Sequence, residues 1–436
     1  PAPVFNADPT AYETCADGKG SKPIGDVSFL NKDIKFPQPM RANLAYDRVL
    51  PFNLIATVEG LYSKTRNQLF FVNRNLAGPV GTSQGGRVLY GTIAATGISS
   101  ATRPAAVIAA GGTGRFTTAI DVENQNKDYA YNLTGQLRKR YANNWEAYIG
   151  YSYGHAYDAQ SFTSSTHISN WQFGRTLFGK QEDVYTTVSL FDQPHKFSGF
   201  YTRTVGWGPV VRSLGSWASG LATDFTLSYT GQSGAPHDYI YGGSGGRGDL
   251  NADGVQGNDL IFIPTDVNDI NQIRFQNTSG TINGVSTTLT AAQQAAAFDA
   301  LITSTKCLNE HRGEILVRNS CRLPFSHNFD FSLRQVVPLV SEQRLAIQFD
   351  IFDVGNMLNK KWGHQQVSPL SSNNNIPLLT HVSSSSADAA TAVPVVTFNY
   401  TTLDPANTQG LQPQPYQVGA FTSNYWRWQI SARYSF

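Results

Sequence analysis

The chain has 436 residues, of which 15% are charged and 12% aromatic, with 39 glycines, 2 methionines and a formal charge of +2. Near balance in charge argues against a nucleic-acid partner, and the composition suits strands and turns rather than helices. No run approaches the roughly 20 apolar residues of a spanning helix, a test that a half-polar barrel strand escapes.

The N-terminus, Pro1-Ala2-Pro3-Val4-Phe5, has neither a basic flank nor a hydrophobic segment. An export signal is therefore expected to have been removed or to lie upstream. Residues 39–49 and 52–65 flank Pro51 and read as two strands. Tyr129, Tyr131, Leu133 and Leu137 then oppose Asn132, Thr134, Gln136 and Arg138. After the turn Asn143-Asn144, Trp145, Ala147, Ile149, Tyr151 and Tyr153 oppose Glu146 and Ser152, which predicts a hairpin. The same period of two places Phe197 and Tyr201 against Ser198 and Thr202, and Phe225, Leu227 and Tyr229 against Thr226, Ser228 and Thr230. It recurs with Phe329, Phe331 and Leu333, with Leu345, Ile347, Phe349 and Ile351, and in the last eleven residues. There Trp426, Trp428, Ile430, Ala432, Tyr434 and Phe436 share one face, and Arg427, Gln429, Ser431, Arg433 and Ser435 the other.

Such a strand can turn one face to lipid and the other to a wet lumen. A strand of a soluble sandwich is the alternative for any one segment, and the connections argue against it. Short links near 50–51, 142–144, 207–219 and 338–342 alternate with long ones over 66–127, 159–193, 234–325 and 359–424. Barrels of the outer membrane sort short periplasmic turns from long extracellular loops in this way. About nine spanning strands result, with the start of the chain outside and Phe436 in the periplasm. Trp145, Tyr153, Trp426, Trp428 and Tyr434 fall near strand ends, as an interfacial girdle or a set of cross-strand pairs requires.

Within the long connections, Asp249-Leu250-Asn251-Ala252-Asp253-Gly254 puts oxygen ligands at positions one, three and five and a turn glycine at six. That is the opening of a calcium loop, with Asp259 in place of the usual glutamate one position later. An Asx-rich surface turn is the alternative. Thr290 and Gln293 predict a capping box for a helix to about Ile302, decorating an outer loop. Cys307 and Cys321 can close a loop of roughly fifteen residues, with free thiols as the alternative and Cys15 left over. His155 with Asp158, His195 with Asp192, and His311 with Glu310 and Glu314 are pairs that acid–base chemistry could use. No Gly-x-Ser-x-Gly or His-Glu-x-x-His accompanies them, so no enzyme is expected and no catalytic residue is assigned.

One further set of segments is informative as an ordered series. It comprises Phe36-Pro37-Gln38-Pro39 with Asn43 to Pro51, Asp192-Gln193-Pro194-His195-Lys196-Phe197, Asp249 to Gly254, Cys307 to Gly313, Arg318 to Pro324, Phe349 to Asn359, and Trp426 to Phe436. In this series the chain resembles TonB-dependent receptors of the outer membrane, and within them the Oar-like branch. The resemblance implies an all-β transmembrane antiparallel barrel of 22 strands with long extracellular loops, of which residues 1–436 form the C-terminal portion. It further implies a plug and a TonB-contacting segment that are not in this chain, coupled to TonB-ExbB-ExbD, and uptake of a large or scarce solute across the outer membrane of a Gram-negative bacterium. No cofactor beyond Ca²⁺ is expected. A surface adhesion or binding protein anchored by the barrel is the other reading. The terminal strand, through Trp428, Ile430, Tyr434 and Phe436, is expected to be the assembly signal that the BAM complex reads, and lipid the partner of the apolar face.

Overall fold

A computed structural model of the chain describes residues 25–104, 116–176, 179–207, 220–282, 285–339, 343–367, 375–399, 417–418 and 424–436. Cys15, the N-terminal segment and most of the 207–219 link lie outside the described residues.

The alternating segments are all strands. They are β1 (Gln38–Leu50), β2 (Leu54–Arg66), β3 (Tyr129–Ala142), β4 (Trp145–Asp158), β5 (His195–Gly206), β6 (Ala222–Gln232), β7 (Ser326–Pro338), β8 (Arg344–Phe352) and β9 (Arg427–Ser435). Each pairs antiparallel with the next, so the sheet follows chain order, with the two-residue strand Thr187–Val188 added beside β4. Two turns are tight because their residues accept the left-handed region. Asn143 and Asn144 have φ of 55° and 62°, the pair that a two-residue hairpin requires, and Phe52 and Asn53 close the β1–β2 link at 66° and 61°.

The register carries the pattern across the sheet without a slip of face. Ala56, Leu137, Ile149, Gly199, Tyr229 and Phe329 form one transverse row, and Leu227, Phe331, Ile351 and Trp428 another. On the opposite face Thr226, Ser332, Asp350 and Gln429 align. A one-residue slip would exchange the two faces. The apolar face is bare of protein: Leu44 is 82% exposed, Ile149 60% and Trp428 59%. Exposed apolar surface on this scale marks a membrane or interaction face. The strands are nine to fourteen residues long, enough to cross a hydrocarbon layer when tilted.

The hydrophobic core lies instead in the long connections and the segment ahead of β1. Strands Gly25–Leu30, Phe116–Gln125 and Gln68–Asn73 form a three-stranded sheet, parallel in its first pair. Five more, Arg274–Phe275, Pro394–Phe398, Asn375–Ser384, Pro236–Gly242 and Cys321–Arg322, form a second. Against that sheet packs α1 (Ala291–Ser304). Its capping box is present, with Thr290 Oγ1 accepting from the Gln293 N–H at 3.2 Å and Gln293 Oε1 from the Thr290 N–H at 2.9 Å. The expectation that this helix merely decorates a loop is corrected, because Phe298, Leu301 and Ile302 are buried with Ile261, Leu316 and Leu379. The long connections are thus a folded cap at one end of the sheet. Among the described residues β1 and β9 have no partner on their outer edges, and no sheet is closed.

Candidate functional site

Where the cap meets the polar face of the sheet there is a cavity of about 280 Å³, lined by Asn132, Ser152 and Lys196 from the strands and by Phe191, Asp192 and Gln193 from the β4–β5 connection. Asn132 Oδ1 accepts from Thr134 Oγ1 at 2.7 Å and Ser152 Oγ at 2.8 Å. Phe191 and Lys196 are exposed beside it. The wall offers hydroxyl, amide and ammonium donors beside Leu61, Tyr131, His155 and Phe191, a mixed polar and apolar surface.

Asp192 fastens the cap to this wall. Its carboxylate accepts from the Ala156 N–H at 2.6 Å, from His155 Nδ1 at 3.2 Å and from the Arg322 guanidinium. The pairings expected from sequence therefore change: His155 meets Asp192 rather than Asp158, and His195 Nδ1 meets the Tyr151 hydroxyl at 2.8 Å. Asp158 instead binds Arg318, whose Nε also donates to Thr187 Oγ1 at 2.8 Å. Asn319 Nδ2 donates to the Val188 carbonyl at 2.8 Å. The Arg318–Arg322 segment is thus a polar seam joining two connections more than 100 residues apart in sequence. His311 Nδ1 lies 2.8 Å from the Cys307 carbonyl in the preceding turn. Cys307 and Cys321 are bonded, with Cα atoms 5.3 Å apart.

The Asp249–Asp259 loop is buried in the cap, not an exposed turn. Asp249 accepts from Ser99 Oγ at 2.7 Å and from the N–H groups of Asp253 at 3.1 Å and Gly254 at 2.9 Å. Asp253 accepts from the Val255 N–H at 2.8 Å. Asp259 accepts from the Leu250 N–H at 3.0 Å and pairs with buried Arg87 at 2.7 Å. Burial pushes the carboxyl of Asp249 up to about 6 and that of Asp259 up to about 7, although Arg87 pulls the latter down. Burial raises Asp253 well above the usual range, and the charges of Asp249 and Asp259 add to the effect. Buried Asn258 has neither side-chain polar atom hydrogen-bonded among the described residues. The donors are of the oxygen kind that calcium takes, yet among the described residues no three His, Cys, Asp or Glu side chains form a group that could hold a metal ion. Arg87 was not among the residues singled out from sequence, because it lies 172 positions from its partner.

The terminal residues Trp428, Ile430, Tyr434 and Phe436 share the apolar face of β9, and Phe436 is 98% exposed. Comparison with curated proteins returned no match. The description "outer membrane beta barrel domain" matches residues 2–385. With its dyad-patterned sheet and bare apolar face, the chain belongs to the outer membrane β-barrel domain family and is a protein of the outer membrane of a Gram-negative bacterium.

Proposed function

We propose that the chain is the C-terminal part of the barrel of a TonB-dependent receptor of the Oar-like branch, serving uptake of a large or scarce solute. The observation that carries this reading is the folded cap at one end of the sheet, with a pocket where its β4–β5 connection meets the polar face. In a barrel that only anchors, nothing requires the cap to leave a pocket against the lumenal wall. The strand directions add support. Eight antiparallel steps leave β1 and β9 running the same way, so an all-antiparallel closure takes an odd number of further strands, as part of an even-stranded barrel requires. The reading puts the cap outside the cell, the short turns in the periplasm, and no catalytic step on this chain.

Site-specific cross-linking of the full-length protein in cells tests it. A cross-link to TonB that strengthens when medium solutes occupy the receptor is the expected result. A cap that binds cells or matrix while no TonB adduct forms would leave the adhesion reading in its place. Cysteines placed at Asn144 and at Ser386 report orientation, since a membrane-impermeant maleimide should reach only the second on intact cells.

A further inference from the structure

The apolar face of the sheet ends, towards the cap, in a band of polar-tipped rings. Tyr129 and Tyr157 stack at 4.8 Å, Tyr153 lies 5.3 Å from His195, and Tyr229 lies 4.7 Å from Phe329. Rings with an apolar body and a polar tip settle at the level of lipid headgroups. At the β2 end of this band the chemistry changes. Register places Met40, Tyr62, Lys64 and Arg66 on the outward face, with Lys64 opposite Tyr129 on β3. On the nine strands, Lys64 and Arg66 are the lysine and arginine of that outward rim; the other outward cations, Arg48, Lys139 and Arg203, sit at the short-turn end.

Lys64 Nζ reaches up to the Lys127 carbonyl at 3.2 Å and lies 5.7 Å from the centre of the Tyr129 ring, so its stem covers apolar wall while its charge sits at the rim. It keeps two N–H donors in hand. Beside it is an open cleft of about 650 Å³ lined by Met40, Arg41, Tyr62, Lys64, Arg66 and Asn126, with no carboxylate in its wall. Among the described residues, Lys64 and Arg66 form no ion pair. Cations with no carboxylate partner among the described residues, at headgroup depth and above an apolar floor, match an anion that carries its own acyl chains.

We propose that Lys64 and Arg66 bind the phosphate of a phosphorylated outer-leaflet lipid whose chains lie along Met40 and Tyr62. The arginine fork suits a phosphate held by two oxygens, and the lysine adds a point charge. The inference rests on the proposed orientation, with the cap outside.

The test uses the full-length protein in detergent micelles, with bis-phosphorylated lipid A as probe and its dephosphorylated form and inorganic phosphate as comparators. The expected result is that lipid A binds about tenfold or more tightly to the native protein than to Lys64→Gln/Arg66→Gln, and that the dephosphorylated lipid binds both equally weakly. Arg203→Gln, at the opposite rim, should bind as the native protein does. Equal affinity of native and double variant, or of the two lipids, overturns the proposal; so does displacement of lipid A by an equal concentration of inorganic phosphate, which would make this a free-anion site. Heat-modifiable migration checks folding of the double variant, and the single Arg66→Gln replaces it should it fail. Binding in micelles does not depend on orientation, so weak binding beside a cap labelled from outside defeats this inference alone.

Discussion

Three carboxylates buried with one guanidinium make the Asp249–Asp259 loop a pH-sensitive place in the cap. Asp249 and Asp259 bind protons more tightly folded than unfolded, so their stabilising effect is complete below the unfolded value near about 4 and is lost as pH rises through about 6 to 7. Thermal unfolding of the cap in calcium-free buffer should therefore shift to lower temperature between about pH 5 and about pH 8, and Asp253→Asn should flatten that slope. Calcium titration at the upper pH decides whether a cation replaces the proton. A metal held by Asp249, Asn251, Asp253 and Asp259 raises the melting temperature of the native chain and not that of Asp253→Ala; superimposable curves remove calcium. Much of this residue chemistry was legible in sequence where partners are close. The capping box of Thr290 and Gln293 spans three positions, and the Asx turns of Asp249 and Asp253 two to five. Arg87 with Asp259, and Arg318 with Asp158, were not legible, because no local signal ties residues 172 and 160 positions apart.

Among the elements, the strands were read correctly because a period of two is a local property that burial on one face imposes. The register gives it a sharper consequence. Ile149 faces outward and Ser198, on the next strand, lies on the polar face. Ile149→Lys should lower barrel stability by about 2–4 kcal/mol, whereas Ser198→Lys should cost little, measured by denaturant unfolding in lipid vesicles. For β9, which has no partner on its outer side among the described residues, the expectation concerns assembly. Deleting Phe436 should reduce folded protein in the outer membrane, and unchanged heat-modifiable migration and surface level would dismiss the terminal strand as the signal that the BAM complex reads. The cap was the element missed. Its strands are as short as two residues, pair in parallel as well as antiparallel, and draw on segments from all over the chain, so neither alternation nor turn chemistry announces them.

For the molecule as a whole, two bodies are stabilised by different solvents. The cap buries Phe298, Leu379 and Phe398 against protein, and the sheet leaves Leu44, Ile149 and Ile430 for lipid. Their responses should separate. Cys307→Ser opens a link across fourteen positions, which in the chain-entropy estimate removes about 3 kcal/mol from the cap. Proteolysis of the connections should become faster while the heat-modifiable barrel band persists; loss of both together would mean that the two bodies fold as one. By itself the sequence determined that the chain forms strands, which face of each is apolar, where the tight turns fall and how one helix begins, since all of these follow from chemistry within a few residues. Only the tertiary structure decided that the long connections share a core, that a polar seam ties them to the wall of the sheet, and that Lys64 and Arg66 meet at a cleft on its rim. Those depend on which distant segments the fold brings together, and the free energy of such contacts leaves no periodic trace in the chain.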